Sequence, residues 1–575
     1  MSNLPQSQQH QTSLVVILHA YTRKPRDMRY VRQAVSAAKP NAHILTPKLP
    51  LGGFSCADAN QIAAQIVTEI TEQVQFRLNR NWAKFSEILL IGHSMGALIA
   101  RKAYLIACGI SEAPLDDPDL SLSENIRQPW AADVKRIILL AGMNRGWSIN
   151  YHLGFFRSLS MSVGAAYGHL LLALSHKRLV IFNARCGSAF VTQLRLQWLA
   201  LVSSSRDKNI PLALTVQLLG TIDDLVSPAD NIDLETGSDF IYLDMPFSGH
   251  KNVIEMDGTP AGVERLKVFT QVLTEDEQTL RAQRIVPSDF TLAQVQPRVT
   301  NVIFVIHGIR DEGYWTQKIA RKVIALGQAP PRIYASETTS YGYFSMLAFL
   351  LPHERLQKVE WLMDQYVEAR SLYPNANFSY IGHSQGSYLL ATAVSQYRAC
   401  RFDHVALAGS VVPCRYDWLS VIQRNQIKTL LNYVASADWV VAFLPGAFEK
   451  LHLQDVGSGG HNGFQQAAET PNGPLYERRY IQGGHGAALE EQNWQDLAYF
   501  AVYGRPAPPN LQLETPRRYW VVVLGGWISP LLWITAVGGI IAMGWGVSYF
   551  VHPQWAKTVV IGVYALTIWR ILTRL

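Results

Sequence analysis

The sequence predicts an α/β protein with two doubly wound, mostly parallel sheets in tandem, followed by transmembrane helices. Three observations carry this. The pattern G-H-S-x-G occurs twice, as Gly92-His93-Ser94-Met95-Gly96 and Gly382-His383-Ser384-Gln385-Gly386. Each copy follows an apolar run of β character and precedes a run of helix formers. A histidine ending an earlier apolar run stands 75 residues before Ser94 (His19) and 77 before Ser384 (His307), as a duplicated domain would place it. Finally, no Lys, Arg, Asp or Glu occurs from Tyr519 to Ala556.

At 575 residues the chain exceeds what one core organises, about 250–300 residues. Hydrophobic content of 48% with only 17% charged residues, against a usual ~25%, calls for buried parallel sheets, a membrane segment, or both. The formal charge of +7 includes no Lys/Arg run or aromatic-basic stripe. It therefore fits a solvated or membrane-facing surface and excludes nucleic acid as the partner. The five cysteines are scattered with no CxxC pair, which predicts neither a metal site nor disulfides and fits a reducing cytosol. Residues 1–13 are polar and Gln-rich, so no signal peptide is expected.

In chain order, Leu14–Leu18 reads as a buried strand, Asp27–Ala38 as a helix, His43–Thr46 as a short strand and Ala57–Leu78 as a long amphipathic helix. Glu87–Ile91 leads into the first G-H-S-x-G, and Val134–Ala141 and Leu214–Gly220 are further apolar strands. Phe240–Leu243 is strand-like, with a closing helix from about Pro260. Thr274–Thr300, charged and then punctuated by Pro287 and Pro297, reads as a linker (276–300). The plan then repeats: strand Asn301–Ile306, helix Glu354–Arg370, strand Phe378–Ile381, strand Lys428–Val434, strand-like Arg479–Ile481 and an amphipathic helix Glu490–Tyr503.

A serine between two glycines, with a strand before and a helix after, is a very tight turn. The flanking glycines are needed because strand and helix nearly touch, and the serine is held in a strained conformation that lifts its Oγ above the sheet. Chance alone supplies G-x-S-x-G about 0.2 times in a chain of this length. Two copies with the same flanks therefore point to two nucleophiles.

These two elbows resemble the nucleophile elbow of the α/β-hydrolase superfamily (lipases and esterases), and the resemblance extends over 13–275 and 301–505. It implies a Ser-Asp-His triad in each unit, with the acid and then the histidine following the serine. In the first unit Gly220-Thr221-Ile222-Asp223-Asp224-Leu225-Val226 resembles the family's acid turn, which places Asp223 as the acid, with Asp224 as the alternative. His250, in Ser248-Gly249-His250 after the last strand, takes the place of the base. In the second unit Asp438 follows the strand Lys428–Val434, and His485 in Gly483-Gly484-His485-Gly486 takes the base's place ahead of His461. The oxyanion donors implied are the backbone N–H groups of Tyr21 and Met95, and of Ile309 and Gln385. His19 and His307 are expected to be satisfied histidines at strand ends.

Ser94 and Asp223 are 129 residues apart but Ser384 and Asp438 only 54, so the first unit holds about 75 extra residues. They fall at about 143–211, where the family commonly carries a lid. Its apolar part, Leu153–Phe156 through Leu170–Leu174, suits an acyl chain or a membrane surface as well as packing on its own domain. Arg310 and Asp311 lie beside the second oxyanion loop, where a polar head group or solvent would meet them equally well.

Past the Pro-rich linker 506–518, the uncharged stretch far exceeds the ~20 residues a span needs. A second run, Thr558–Trp569, is bounded by Lys557 and by Arg570 and Arg574. With Arg517 and Arg518 ahead of the first run, the charges predict a hairpin over 519–572 with both ends cytoplasmic. The sequence therefore predicts a membrane-anchored carboxylic-ester hydrolase acting on lipid or acyl esters, with no metal or cofactor and with both units in the cytoplasm. An acyltransferase or thioesterase on the same fold is the alternative chemistry, and a membrane scaffold with hydrolase folds as binding modules the alternative class.

Overall fold

The computed structural model describes residues 12–110, 127–147, 178–208, 210–222, 240–284, 295–309, 313–469, 473–508 and 520–574. Contacts divide the chain into two units, one of 1–294 with 363–372 and one of 295–362 with 373–575.

The first unit holds strands β1 (Ser13–Leu18), β2 (His43–Leu45), β3 (Glu87–His93), β4 (Val134–Leu140), β5 (Leu214–Gly220) and β6 (Phe240–Met245). They pair in the order β2-β1-β3-β4-β5-β6, every pair parallel. Helices α1 (Arg29–Ala38), α2 (Ala59–Asn79), α3 (Met95–Ala107), α4 (Ala189–Lys208) and α5 (Pro260–Thr274) cover both faces. β1 shows why its sequence is apolar throughout. Leu14, Val16 and Leu18 join the core beneath α2, α3 and α4, while Val15 and Ile17 join the opposite core beneath α1 and α5. A strand buried on both faces loses the polar alternation of a half-buried one.

The second unit repeats this winding. Its strands are β7 (Asn301–Ile306), β8 (Tyr334–Glu337), β9 (Asn377–His383), β10 (Phe402–Ala408), β11 (Ile427–Ala435) and β12 (Leu475–Ile481), ordered β8-β7-β9-β10-β11-β12 and again all parallel. Its principal helices are α6 (Thr316–Gly327), the part of α7 (Pro352–Leu372) up to residue 362, α8 (Gln385–Gln396), α9 (Trp439–Leu451) and α10 (Trp494–Tyr503). In each sheet the chain reverses its direction of travel between the first and third strands. Ligands of doubly wound sheets bind at that point, beyond the carboxyl ends of the strands.

Two stretches depart from the sequence expectation. Of the expected lid, residues 189–208 form α4, a core helix in which Val191, Leu194 and Trp198 are fully buried. It connects β4 to β5, a job every parallel crossover requires; residues 148–177 lie outside the described residues. A short helix, Glu277–Ala282, also occupies the start of the stretch read as a linker.

At the C-terminal end, α11 (Trp520–Phe550) and α12 (Gln554–Arg574) lie against each other, with the Tyr564 hydroxyl donating to the Ile540 carbonyl at 2.8 Å. Among the described residues one helix, Trp520–Gly546, is long and apolar enough to cross a membrane. Its first turns pack on α9. A Cβ on Gly525 would lie 2.5 Å from the Phe443 ring, and Lys450 Nζ donates to the Gly526 carbonyl at 2.5 Å.

Candidate active sites

Both serines sit where β3 and β9 turn into α3 and α8, at φ 52°, ψ −117° for Ser94 and φ 50°, ψ −114° for Ser384. Non-glycine residues rarely adopt such angles, and strain of this kind is held only where the surroundings dictate it. The surroundings here are the glycines. A Cβ on Gly92 would lie 2.5 Å from the Gly96 carbonyl oxygen, and one on Gly96 would lie 2.6 Å from the Leu18 oxygen of β1. In the second unit a Cβ on Gly386 would come within 2.7 Å of the Ile306 oxygen of β7. The helix can thus start directly against the sheet.

In the first unit His250 follows β6 and brings Nε2 to 2.8 Å from Ser94 Oγ. Both residues are buried, at 7% and 6% exposure, so this hydrogen bond is shielded from water. Asp223 and Asp224, just past β5, lie outside the described residues. In the second unit the other link is formed: His485 Nδ1 lies 3.0 and 3.1 Å from the two Asp438 oxygens. Asp438 is fully buried and caps the start of α9, accepting the Val441 N–H at 3.0 Å. Burial opposes its charge, but the His485 ring, their hydrogen bond and the Val441 N–H outweigh that and hold its pKa below the ordinary value. His461 is also buried, in the short helix Gly459–Asn462, and acts on Asp438 only as a lesser neighbouring charge. Among the described residues no hydrogen bond joins His485 to Ser384, a link that often tightens only with substrate bound.

The expected oxyanion residues lie at two helix starts and in two loops. Met95 and Gln385 open α3 and α8, so their N–H groups are among those at a helix start without intrahelical acceptors. Tyr21 and Ile309 lie in the loops after β1 and β7, while Arg310 and Asp311 lie outside the described residues. The Tyr21 hydroxyl donates to the Gly53 carbonyl. His19 braces the first of these loops. Its Nε2 accepts the Leu49 N–H at 3.0 Å, so its Nδ1 carries the proton and donates to the Ala20 carbonyl at 2.9 Å. Burial lowers its pKa, which keeps the ring neutral. In the second loop His307 stacks on Tyr341, whose hydroxyl donates to the His307 and Gly308 carbonyls. Gly308 itself leaves room above Ser384, since a Cβ there would lie 2.8 Å from Ser384 Cβ.

Sequence reasoning missed one pair of residues. His93 Nε2 lies 2.9 Å from the His250 carbonyl oxygen, and His383 Nε2 lies 3.3 Å from that of His485. The histidine beside each elbow serine thus holds the backbone of the histidine past the last strand. The signal was present, because both motifs read G-H-S where only the glycines and serine are needed for the turn.

The family model described as "Putative serine esterase (DUF676)" matches residues 8–115, the stretch from β1 through the first elbow and α3. No curated protein matches the chain. Among solved structures, a lipase-esterase related protein from Clostridium acetobutylicum is 12% identical with a TM-score of 0.26, the match covering 45% of this chain and 93% of that one. Esterase B from Lactobacillus rhamnosis is 14% identical at TM-score 0.29, over 47% of this chain and 78% of its own. A peroxisomal α/β-hydrolase from Saccharomyces cerevisiae is 13% identical at 0.27, over 50% and 81%. By the family match and its two elbows, the chain is a serine hydrolase of α/β-hydrolase type.

Proposed function

We propose that this chain is a membrane-anchored hydrolase of lipid or acyl carboxylic esters, with one active site in each unit. The observation that carries the reading is the hydrogen bond from Ser94 to His250, matched in the duplicate unit by His485 on Asp438. Serine is a weak nucleophile at neutral pH. His250 Nε2 takes the proton of Ser94 Oγ as the oxygen attacks the ester carbonyl, and the backbone N–H groups of Met95 and Tyr21 hold the oxyanion. The histidine then returns the proton to the leaving alcohol. Water repeats the cycle on the acyl-enzyme and releases the acid. In the second unit Ser384, His485, Gln385 and Ile309 take these roles. Asp438, and in the first unit Asp223, fixes the histidine tautomer and stabilises the imidazolium. The apolar helix Trp520–Gly546 supports a lipid or long acyl substrate, because it tethers the sites to a bilayer.

A fluorophosphonate probe on the full chain tests this directly. Two serines should label, with Ser94→Ala and Ser384→Ala each removing one. A double variant that labels as strongly as wild type would refute both assignments.

A further inference from the structure

The second unit contains a cavity of about 640 Å³ that none of Ser384, Asp438 and His485 lines. Arg415, Lys450, His452 and Arg479 line it, together with Cys414 and the carboxylate of Glu449. Glu449 is committed to the cavity's own framework. It accepts the N–H groups of Cys414 (2.7 Å) and Ser458 (2.8 Å) and the Ser458 hydroxyl (2.6 Å). Arg479 pairs with Glu477, but Arg415 and Lys450 have no ion pair among the described residues. The cavity therefore presents excess positive charge, from a planar guanidinium and a compact ammonium, the two groups that suit a phosphate. Cys414 adds no thiolate, since burial pushes its pKa up to about 12.

The cavity's position indicates where that phosphate comes from. Lys450 Nζ donates to the carbonyl of Gly526, on the apolar helix itself. Gly526 lies about 9 Å along the helix from its start at 1.5 Å per residue. The cavity thus lies beside the N-terminal part of the apolar helix, whose Trp533 also donates to the Phe443 carbonyl of α9.

We propose that this cavity binds the phosphate of an anionic lipid headgroup. The site rests on the membrane anchoring proposed above, and it adds an anionic lipid as ligand beside the second active site. Binding would hold the second unit against leaflets that carry such lipids.

Isothermal titration of the full chain in detergent tests it, on a Ser94→Ala/Ser384→Ala background so that no ester is consumed. Dihexanoyl phosphatidic acid should bind, while dihexanoyl phosphatidylcholine and inorganic phosphate should bind at least tenfold more weakly. Arg415→Gln and Lys450→Gln should each weaken phosphatidic acid binding about tenfold, and Arg415→Lys should retain most of it. Probe labelling of Ser384 in otherwise wild-type Arg415→Gln and Lys450→Gln chains should be unchanged, which separates lost binding from lost folding. Phosphatidic acid binding no tighter than phosphatidylcholine, or untouched by both substitutions, would overturn the site. Inorganic phosphate binding as tightly as phosphatidic acid would overturn the lipid as its source. Extraction of the chain from membranes by carbonate would instead overturn the anchor, a separate result.

Discussion

His93 Nε2 and the carbonyl oxygen of His250 lie 2.9 Å apart, so the residue preceding one catalytic candidate fixes the backbone of another 157 positions later. A carbonyl only accepts, so the His93 ring must carry its proton on Nε2. His383 and His485 repeat the relationship at 3.3 Å.

This makes His93 a positioning residue. His93→Ala should lower kcat of the first site on the order of 10²-fold, the usual cost of a small misplacement of a catalytic group, with KM little changed. His93→Gln, which can present an N–H at a similar reach, should restore most of the loss. Steady-state kinetics with a soluble ester on a Ser384→Ala background checks this. A KM effect without a kcat effect would remove His93 from the positioning role.

The acids give a second prediction. Asp438→Asn should lower turnover at Ser384 by about 10⁴-fold, because an asparagine favours the wrong histidine tautomer. Asp223→Asn should do the same at Ser94. If Asp224→Asn is the damaging change and Asp223→Asn nearly silent, the acid of the first unit is reassigned.

For the base of the second unit, His485→Ala should abolish probe labelling of Ser384 and His461→Ala should leave it. The reverse pattern would transfer the role to His461, which is buried close to the same carboxylate.

His19 predicts a pH dependence of stability. Its pKa is lowered by burial, so the unfolded chain takes up a proton at a higher pH than the folded one. The contribution is therefore present above the ordinary histidine value of about 6.5 and is lost as pH falls through it toward the lower folded value. Thermal unfolding should show the first unit losing stability between neutral and mildly acid pH, and less so in His19→Gln. Equal slopes in both chains would count against His19 as the group responsible.

The contact between α9 and α11 gives the last prediction. Gly525→Leu should force α11 away from Phe443 and Ala442, since its first added carbon already meets the Phe443 ring. The variant should resist carbonate extraction like wild type yet lose Ser384 labelling at a lower temperature. Asp438 caps the start of α9, only four and five residues before Ala442 and Phe443, so loosening those turns loosens the acid.

The sequence by itself determined the two strand-turn-helix elbows and the serines at their tips. Turn, strand and helix in G-H-S-x-G are local, and the near-equal spacings from His19 and His307 carried the duplication without any long-range contact. The uncharged stretch from Tyr519 was equally legible, because a helix long and apolar enough to cross a membrane is marked by composition alone. Strand Tyr334–Glu337, short and half polar, left no such mark, nor did Phe402–Ala408, which carries Asp403 and His404 as its second and third residues.

What only the tertiary structure decided is which distant groups meet. The extra spacing between Ser94 and Asp223 and the family's habit made 143–211 read as a lid, whereas the burial of Trp198 and Leu194 makes 189–208 a core crossover helix. The sequence ranked His485 ahead of His461 for Asp438, and the fold supplies the contact itself, with His485 at 3.0 Å from the carboxylate. The grip of His93 on the His250 carbonyl and of Lys450 on the Gly526 carbonyl involves backbone oxygens, which every residue possesses. No side-chain pattern can announce such contacts, because they exist only once the sheet and the helices packed on it have brought the chain together.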